Sequence, residues 1–216
     1  MKDKSNEVGV TLVVTKGERT REAILDAAEG AFARHGFDGV PMRQVAELSG
    51  QALGVLTYHF ASKEKLFETV VSRRAQAVNV LRYRELEKFE NPDLEDILSA
   101  LLGPFVDLIE HGGMGWKAYA HLLAQISHEE RWADLLSELF GETARVFIRA
   151  IRNAEPGLSL LAAKRAYVHV VAVMVGLFAS TPLIDRLSGT MVDDDLPEHY
   201  RSAIKFASAG VRALAR

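Results

Sequence analysis

The chain has 216 residues, of which 48% are hydrophobic, and its formal net charge is −3. This length is sufficient for a sizeable core in one or two domains. The absence of cysteine excludes disulfides, thiolate nucleophiles and cysteine metal sites, which fits a reducing compartment. No apolar run of signal-peptide type follows Met1, and the run over 167–179 is shorter than the roughly 20 residues that cross a bilayer. We therefore expect a cytoplasmic protein with no membrane segment.

Charge is distributed unevenly along the chain. Residues 16–84 contain 11 Lys and Arg against 8 Asp and Glu, whereas residues 85–216 contain 13 against 19. A mildly basic first third on an acidic body is compatible with a nucleic-acid-binding end, although the asymmetry alone is weak evidence.

The first half of the chain predicts a tail followed by four helices. Residues 1–17 lack sustained periodicity, so we expect a flexible tail or arm, although "VGVTLVV" is also compatible with a strand. A helix is predicted from Thr20, which can cap it, to Gly36, and a short second helix over 42–48 ends at Gly50. The stretch "GQALGVLTYHF" follows, and Ser62 can then cap a longer helix with an apolar inner face.

The second half also has helical periodicity. The next helix is predicted to open at Asn91-Pro92, with Asn91 as its cap, and Pro104 is expected to bend or interrupt it. "HGGMG" breaks the chain at 111–115, and further helices are predicted over 116–128, 131–153, 158–187 and 196–215. The predicted fold class is all-α, with about nine helices and no strands.

Three short helices, the second and third joined by a tight Gly turn, form the helix-turn-helix arrangement. The long segment "TREAILDAAEGAFARHGFDGVPMRQVAELSGQALGVLTYHFASKEKLFETVV" matches without gaps and resembles the DNA-binding domain of the TetR family of one-component repressors. The resemblance covers about a third of the chain. It implies that residues 18–64 form the helix-turn-helix domain and that residues 65–216 form a helical ligand-binding and dimerisation domain.

The resemblance also implies a mechanism. A homodimer would bind a palindromic operator in double-stranded DNA and repress transcription. A hydrophobic or aromatic small molecule would then change the separation of the two recognition helices. Half-sites on one face of DNA lie roughly 34–36 Å apart, so a small splay would prevent simultaneous contact.

Candidate DNA contacts extend from the second helix to the start of the fourth. Lys63, Tyr58 and His59 are suited to phosphate contacts, and Arg43 to a base or phosphate contact from the preceding helix. The sequence departs from the family pattern at three positions. Ala52 stands where a capping residue is usual, Leu53 where a long polar residue is frequent, and Thr57 where an aromatic residue is frequent. Leu53 and Val55 could instead pack on thymine methyl groups, while a plain core helix remains the alternative. The full candidate set is Arg43, Gln51, Ala52, Leu53, Val55, Thr57, Tyr58, His59 and Lys63.

Aromatic and methionine side chains in the second half suggest a mostly apolar pocket, with ordinary core as the alternative for any single residue. The candidates are Phe105, Met114, Trp116, Tyr119, Phe147, Met174 and Phe178. The apolar helix over 160–178 is either a central core helix or a helix shared between the pocket and a dimer partner. The resemblance implies the second, with the last helix completing a four-helix interface and with contacts at Tyr167, Val171 and Ala207.

Other functions are less compatible with the sequence. His121 and His128 share a helix face at i, i+7, but we find no H-x-x-x-H or Glu-x-x-His pair, so we predict no metal and no cofactor. The same absence counts against a di-iron helical enzyme, and we predict no enzymatic activity. A further alternative is an adaptor that has kept the fold but binds DNA weakly or not at all.

Overall fold

The computed structural model describes residues 15–188 and 196–215, without the side chains of 178–186 and 188. This part of the chain forms nine α-helices and one 3₁₀ turn at Glu130–Trp132, and it contains no strand. The helices are α1 (Lys16–His35), α2 (Met42–Leu48), α3 (Leu53–His59), α4 (Lys63–Leu86), α5 (Leu94–His111), α6 (Met114–Ile126), α7 (Ala133–Ala154), α8 (Leu160–Ser188) and α9 (Leu196–Ala213). The predicted all-α fold is confirmed, while the "VGVTLVV" segment lies outside the described residues.

The first helix begins earlier than the sequence predicted. Its cap is Thr15 rather than Thr20: the Thr15 hydroxyl accepts from the Glu18 N–H, and the Glu18 carboxylate accepts from the Thr15 N–H. This reciprocal capping box satisfies two backbone donors, which explains the earlier start. Gly36 ends the helix as predicted, with a φ of 69° in the left-handed region that favours glycine.

The start of α5 also differs from the prediction. Asp93, not Asn91, caps the helix, and it forms a capping box with Asp96. Pro104 lies inside a helix that continues to His111, so the predicted interruption does not occur. The proline is buried, as is its neighbour Phe105. Packing of this helix against α4, α7 and α9 therefore offsets the loss of one backbone hydrogen bond.

Helices α1, α2 and α3 pack around a small core that begins at Ile24 and Phe32. Val45, Leu56 and Phe60 close this core from α2 and from the end of α3, and all five side chains are buried. Burial of each such side chain contributes about 1.5–3 kcal/mol. The short helices α2 and α3 are therefore held by packing rather than by their own length.

An aromatic cluster joins this small domain to the C-terminal helices. Trp132, at the end of the 3₁₀ turn, stacks on Phe67 of α4 with ring centroids 4.4 Å apart. Its other neighbour is Phe37, which follows α1, at 5.0 Å and edge to face. Phe32 of α1 meets Phe67 at the same distance of 5.0 Å. The loop between α6 and α7 is thus packed directly onto the N-terminal domain.

Helix α8 packs against α6, α7 and α9 and is apolar beyond its buried side. By length and composition alone, its segment Leu160–Leu177 would qualify as membrane-spanning, with a mean hydropathy of 1.6 and 28% of the segment buried. One such helix is weak evidence for a membrane, since helices of soluble proteins pass the same test. This low burial is not typical of a central core helix. It is compatible with the alternative, a helix shared between the pocket and a dimer partner.

Candidate DNA-binding surface and effector cavity

The turn between α2 and α3 places the candidate recognition helix on the surface. Gly50 has a φ of 66°, a conformation that other residues rarely adopt. The Gln51 N–H donates to the Ala46 carbonyl at 3.0 Å, which folds the chain back across the end of α2. The position of α3 therefore depends on Gly50 at one end and on the buried Phe60 at the other.

Helix α3 has one buried face and one exposed face. Leu56 is fully buried in the small core, whereas Tyr58 is 85% exposed. Leu53 and Val55 are also exposed, at 45% and 37%. These apolar side chains are free to contact a partner without loss of any packing in the chain itself.

The polar groups of α3 are few. Ala52 is the N-cap residue and offers no side-chain hydrogen bond to the helix start. The Thr57 hydroxyl is engaged inside the helix, 3.1 Å from the carbonyl oxygens of both Leu53 and Gly54. Gln51 donates at 3.4 Å to the Ser49 carbonyl, and the ring of His59 lies beside that of Tyr58. This surface is consequently less polar than a helix that carries lysine or arginine at these positions.

Two cations flank α3. Arg43 of α2 is largely exposed and pairs with Glu47 one turn later, at 3.0 Å. Lys63 of α4 donates to the Asp38 carbonyl at 3.3 Å and lies over the Phe37 ring at 4.5 Å. The exposed Arg43–Glu47 pair is weak, as are an exposed hydrogen bond and a cation–π contact at the surface, so both side chains can be redirected to a phosphate at small cost.

A cavity of about 480 Å³ lies between the helices of the C-terminal part. Helices α4, α5, α6, α7 and α8 contribute its walls, and Ser127 lies just beyond the end of α6. The lining side chains are Val78, Arg82, Phe105, Leu123, Ser127, Leu136, Ser137, Phe140, Gly141, Ala144, Ile148, Lys164, Tyr167, Val168, Val171, Met174 and Val175. The volume and the mostly apolar lining are typical of small-molecule sites.

The structure brings only some of the predicted ligand residues to this cavity. Phe105 and Met174 line it. Trp116, Tyr119 and Phe147 are instead buried in the core beside it, and the Tyr119 hydroxyl donates to the Val71 carbonyl at 3.0 Å. Met114 is 86% exposed at the start of α6 and does not line the cavity. The side chain of Phe178 lies outside the described part of the chain.

Arg82 is the cavity residue that the sequence interpretation missed. Its side chain is buried, and burial lowers the pKa of its guanidinium. It donates to three neutral acceptors: the Leu101 carbonyl at 2.8 Å, the Asn79 side-chain oxygen at 3.2 Å and the Met174 sulfur at 3.4 Å. The available signal was its spacing, four residues after Val78 on the inward face of α4.

The predicted dimer residues have different surroundings from one another. Tyr167 and Val171 are half-buried and line the cavity, and burial raises the pKa of the Tyr167 hydroxyl. Ala207 is buried beside the groove between α8 and α9. The exposed apolar side chains on these two helices include Leu160, Leu161, Val168 and Phe206, and Leu214 follows directly after α9. The surface available to a partner is therefore formed by these neighbours of the predicted residues.

The histidines singled out in the sequence do not form a metal centre within the described ranges. Over 15–188 and 196–215, no group of three or more His, Asp or Glu side chains is placed to hold a metal ion. His121 and His128 are both exposed to solvent on or beside α6.

Comparisons with known proteins cover both parts of the chain. Residues 24–70 match the family model described as bacterial regulatory proteins, tetR family, and residues 99–210 match the one described as tetracyclin repressor-like, C-terminal domain. The HTH-type transcriptional repressor AcnR of Corynebacterium efficiens is 30% identical over 148 residues, which are 66% of this chain and 70% of that protein.

Solved structures share the fold at low identity. FadR from Bacillus subtilis, in complex with stearoyl-CoA, has a TM-score of 0.65 and 14% identity, with 88% of this chain and 98% of that chain covered. SmeT, the repressor of the Stenotrophomonas maltophilia multidrug efflux pump SmeDEF, has a TM-score of 0.63 and 20% identity, with 91% and 92% covered. At these identities the likeness extends to the fold alone.

Proposed function

This chain belongs to the TetR family of bacterial regulatory proteins, and we propose from its geometry how it binds DNA and how a ligand controls that binding. It is a ligand-responsive, DNA-binding transcriptional regulator and not an enzyme. Its role is repression, the role given in the name of the matched AcnR. The observation that carries the proposal is a recognition helix that buries Leu56 and exposes its opposite face, next to a domain with a mostly apolar cavity.

Helix α3 lies in the major groove in this proposal. Leu53 and Val55 contact thymine methyl groups, which is the base contact open to apolar side chains. Tyr58, His59 and Arg43 contact phosphates, and Lys63 joins them once it leaves the Phe37 ring. Gln51, Ala52 and Thr57 border the same surface, where backbone and hydroxyl groups approach the DNA.

The active species is a homodimer on a palindromic operator. The exposed apolar side chains of α8 and α9, among them Leu161, Val168 and Phe206, support an interface built from these two helices of each copy. Exposed apolar surface of this kind typically marks a protein contact. Tyr167, Val171 and Ala207 lie next to this interface and complete it on the inner side. We place the dimer in the cytoplasm, where such regulators typically act.

A hydrophobic effector occupies the cavity and releases the operator. Leu123 and Ser127 line the cavity where α6 ends, and Leu136 and Ser137 line it where α7 begins. The segment between them carries Trp132, which is packed on the N-terminal domain. A ligand that displaces these cavity walls therefore shifts the contact on which the orientation of α3 depends.

Selection of bound sequences from a random duplex library, followed by affinity measurements at low and high salt, tests the proposal. We expect a palindromic consensus, and an affinity that falls by about 10³-fold or more between about 50 and 200 mM salt if six or more phosphates are contacted. Leu53→Glu should abolish binding by repelling phosphates, while Val80→Glu on the exposed side of α4 serves as the matched control.

The alternative of an adaptor that kept the fold without DNA binding is not favoured, since the matched relative is a transcriptional repressor. No sequence-specific binding at either salt concentration would nevertheless favour that adaptor and contradict the proposal. A consensus without thymine at the positions facing α3 would contradict the methyl contacts alone.

A further inference from the structure

The cavity contains a charge without an opposite charge. Arg82 is buried, and its guanidinium remains protonated at any physiological pH. Its three described acceptors, from Leu101, Asn79 and Met174, are all neutral. A buried cation that lacks an anionic partner is unfavourable, so its presence in a folded cavity calls for an explanation.

The rest of the described cavity lining carries no carboxylate. Lys164 at its exposed edge is a second cation, and the remaining polar groups are hydroxyls such as those of Ser127, Ser137 and Tyr167. The cavity therefore has a buried cation beside Met174, a second cation ten residues earlier on α8, and an apolar surface over most of its wall. Such a site favours an anion that also has an apolar body.

The hydrogen bonding of Arg82 indicates which anion. A guanidinium has five N–H groups, and the described bonds use one on Nε and one on each Nη. One N–H on each Nη has no acceptor among the described residues. Donors on two neighbouring nitrogens can reach both oxygens of a single carboxylate, and one buried cation balances one negative charge better than the nearly two of a phosphate monoester.

We propose that the effector is an amphipathic carboxylic acid, whose carboxylate binds Arg82 and whose hydrocarbon body fills the apolar wall from Phe140 to Val171. This inference rests on the proposed function, because it names the chemical class of the ligand for the same cavity. The volume of about 480 Å³ sets the size to that of a medium-chain or aromatic acid.

Calorimetric titration of the full-length protein with decanoate, decanamide and decyl phosphate tests the inference. Decanoate is expected to bind about ten-fold or more tightly than decanamide, since bonds to charged groups are the stronger ones. Arg82→Met should reduce this ratio to near one, and Arg82→Lys, which keeps the charge but loses the two-nitrogen fork, should retain only part of it. Lys117→Met, at an exposed cation of α6 that does not line the cavity, is the matched control and should change the ratio by about two-fold or less.

A purely structural role for Arg82 would lower stability without changing the acid-to-amide ratio. Equal binding of decanoate and decanamide, no binding of either, or a ratio that persists in Arg82→Met would overturn the inference. Tighter binding of decyl phosphate than of decanoate would overturn the choice of a carboxylate. If Arg82→Met fails to fold, the ratio of decanoate affinity to decanamide affinity in the wild-type protein decides the question. A protein that binds its operator but shows no preference for the acid keeps the proposed function and loses only this inference.

Discussion

The guanidinium of Arg131 donates two hydrogen bonds to the carboxylate of Asp38, at 3.0 and 2.8 Å. Arg131 belongs to the 3₁₀ turn between α6 and α7, and Asp38 to the loop between α1 and α2. The pair thus joins the segment that borders the cavity to the loop between the first two helices of the N-terminal domain. It lies beside the aromatic contacts of Phe37 and Trp132 and fixes the same junction from the solvent side.

The Asp38 pair predicts a pH-dependent contribution to stability. The hydrogen bonds from Arg131 lower the pKa of the Asp38 carboxyl below its ordinary value. A lowered folded-state pKa gives a contribution that is present above the unfolded value of about 3.9 and is lost as the pH falls through the folded value. The melting temperature of Asp38→Asn should therefore lie slightly below wild type at pH 6, with a gap that closes below about pH 4. Glu129→Gln removes the other partner of Arg131. The gap that Asp38→Asn opens should remain when both proteins compared also carry Glu129→Gln.

The ring of Trp132 should be essential for packing, whereas its indole N–H should not contribute to stability. Its indole nitrogen is buried without a hydrogen-bond partner among the described atoms, while its ring stacks on Phe67. Trp132→Ala should lower the free energy of unfolding by about 3–5 kcal/mol. Trp132→Phe should cost much less, because it keeps an aromatic ring and removes an unsatisfied donor. Chemical denaturation of both variants measures the difference, and equal losses would show that the indole N–H has a partner.

Glu29 should be a stabilising residue at the contact between α1 and α4. Its carboxylate is buried and accepts hydrogen bonds from Arg74 at 2.6 and 2.7 Å and from Arg73 at 3.0 Å. Glu29→Gln should reduce the free energy of unfolding by about 3 kcal/mol, since Arg74 then loses its counter-charge and Arg73 keeps only the exposed Glu22 and Asp26. Glu22→Gln, which removes an exposed partner of Arg73, is the control and should cost under about 1 kcal/mol. Similar losses in the two variants would contradict the importance of burial.

The fold and the helix-turn-helix could be predicted because their signals are local. Gly36 and Gly50 occupy positions with positive φ, and the Leu56 and Phe60 side chains follow the spacing of a buried face. The caps at Thr15 and Asp93 were equally local and were missed, although each is followed three residues later by an acid that completes a capping box.

The cavity could not be predicted from the same signals. Five helices form it, and periodicity shows which face of a helix is apolar but not which neighbour that face meets. For this reason periodicity does not show that Tyr167 and Val171, which the sequence predicts at the dimer interface, also line the cavity, or that Trp116, a pocket candidate, packs in the core against Arg74. Arg82 was missed because its neutral partners lie on other helices as well as its own.

Tyr58 and Leu53 should affect DNA binding in different ways. Both are exposed on α3, so alanine at either position should leave the melting temperature nearly unchanged. Tyr58→Ala should weaken binding to all sequences alike, because a phosphate contact carries no sequence information. Leu53→Ala should instead reduce the preference for thymine at one position of each half-site by about ten-fold. Anisotropy titrations with a consensus duplex and single-base variants separate the two, and a uniform loss in Leu53→Ala would contradict the methyl contact.

The α8–α9 surface should control the oligomeric state. Val168 is 63% exposed and Phe206 is 73% exposed, so a charge at either position costs little in a monomer. In a dimer closed through these helices, Val168→Glu and Phe206→Glu each bury a carboxylate without a partner and should shift the protein to monomer. Sedimentation velocity measures the shift, and Leu48→Glu, at an exposed leucine of α2, is the matched control that should remain dimeric. Because Val168 also lines the cavity, its variant should in addition weaken ligand binding, whereas Phe206→Glu should not do so directly. Dimers that persist in both variants would place the interface on another face of the molecule.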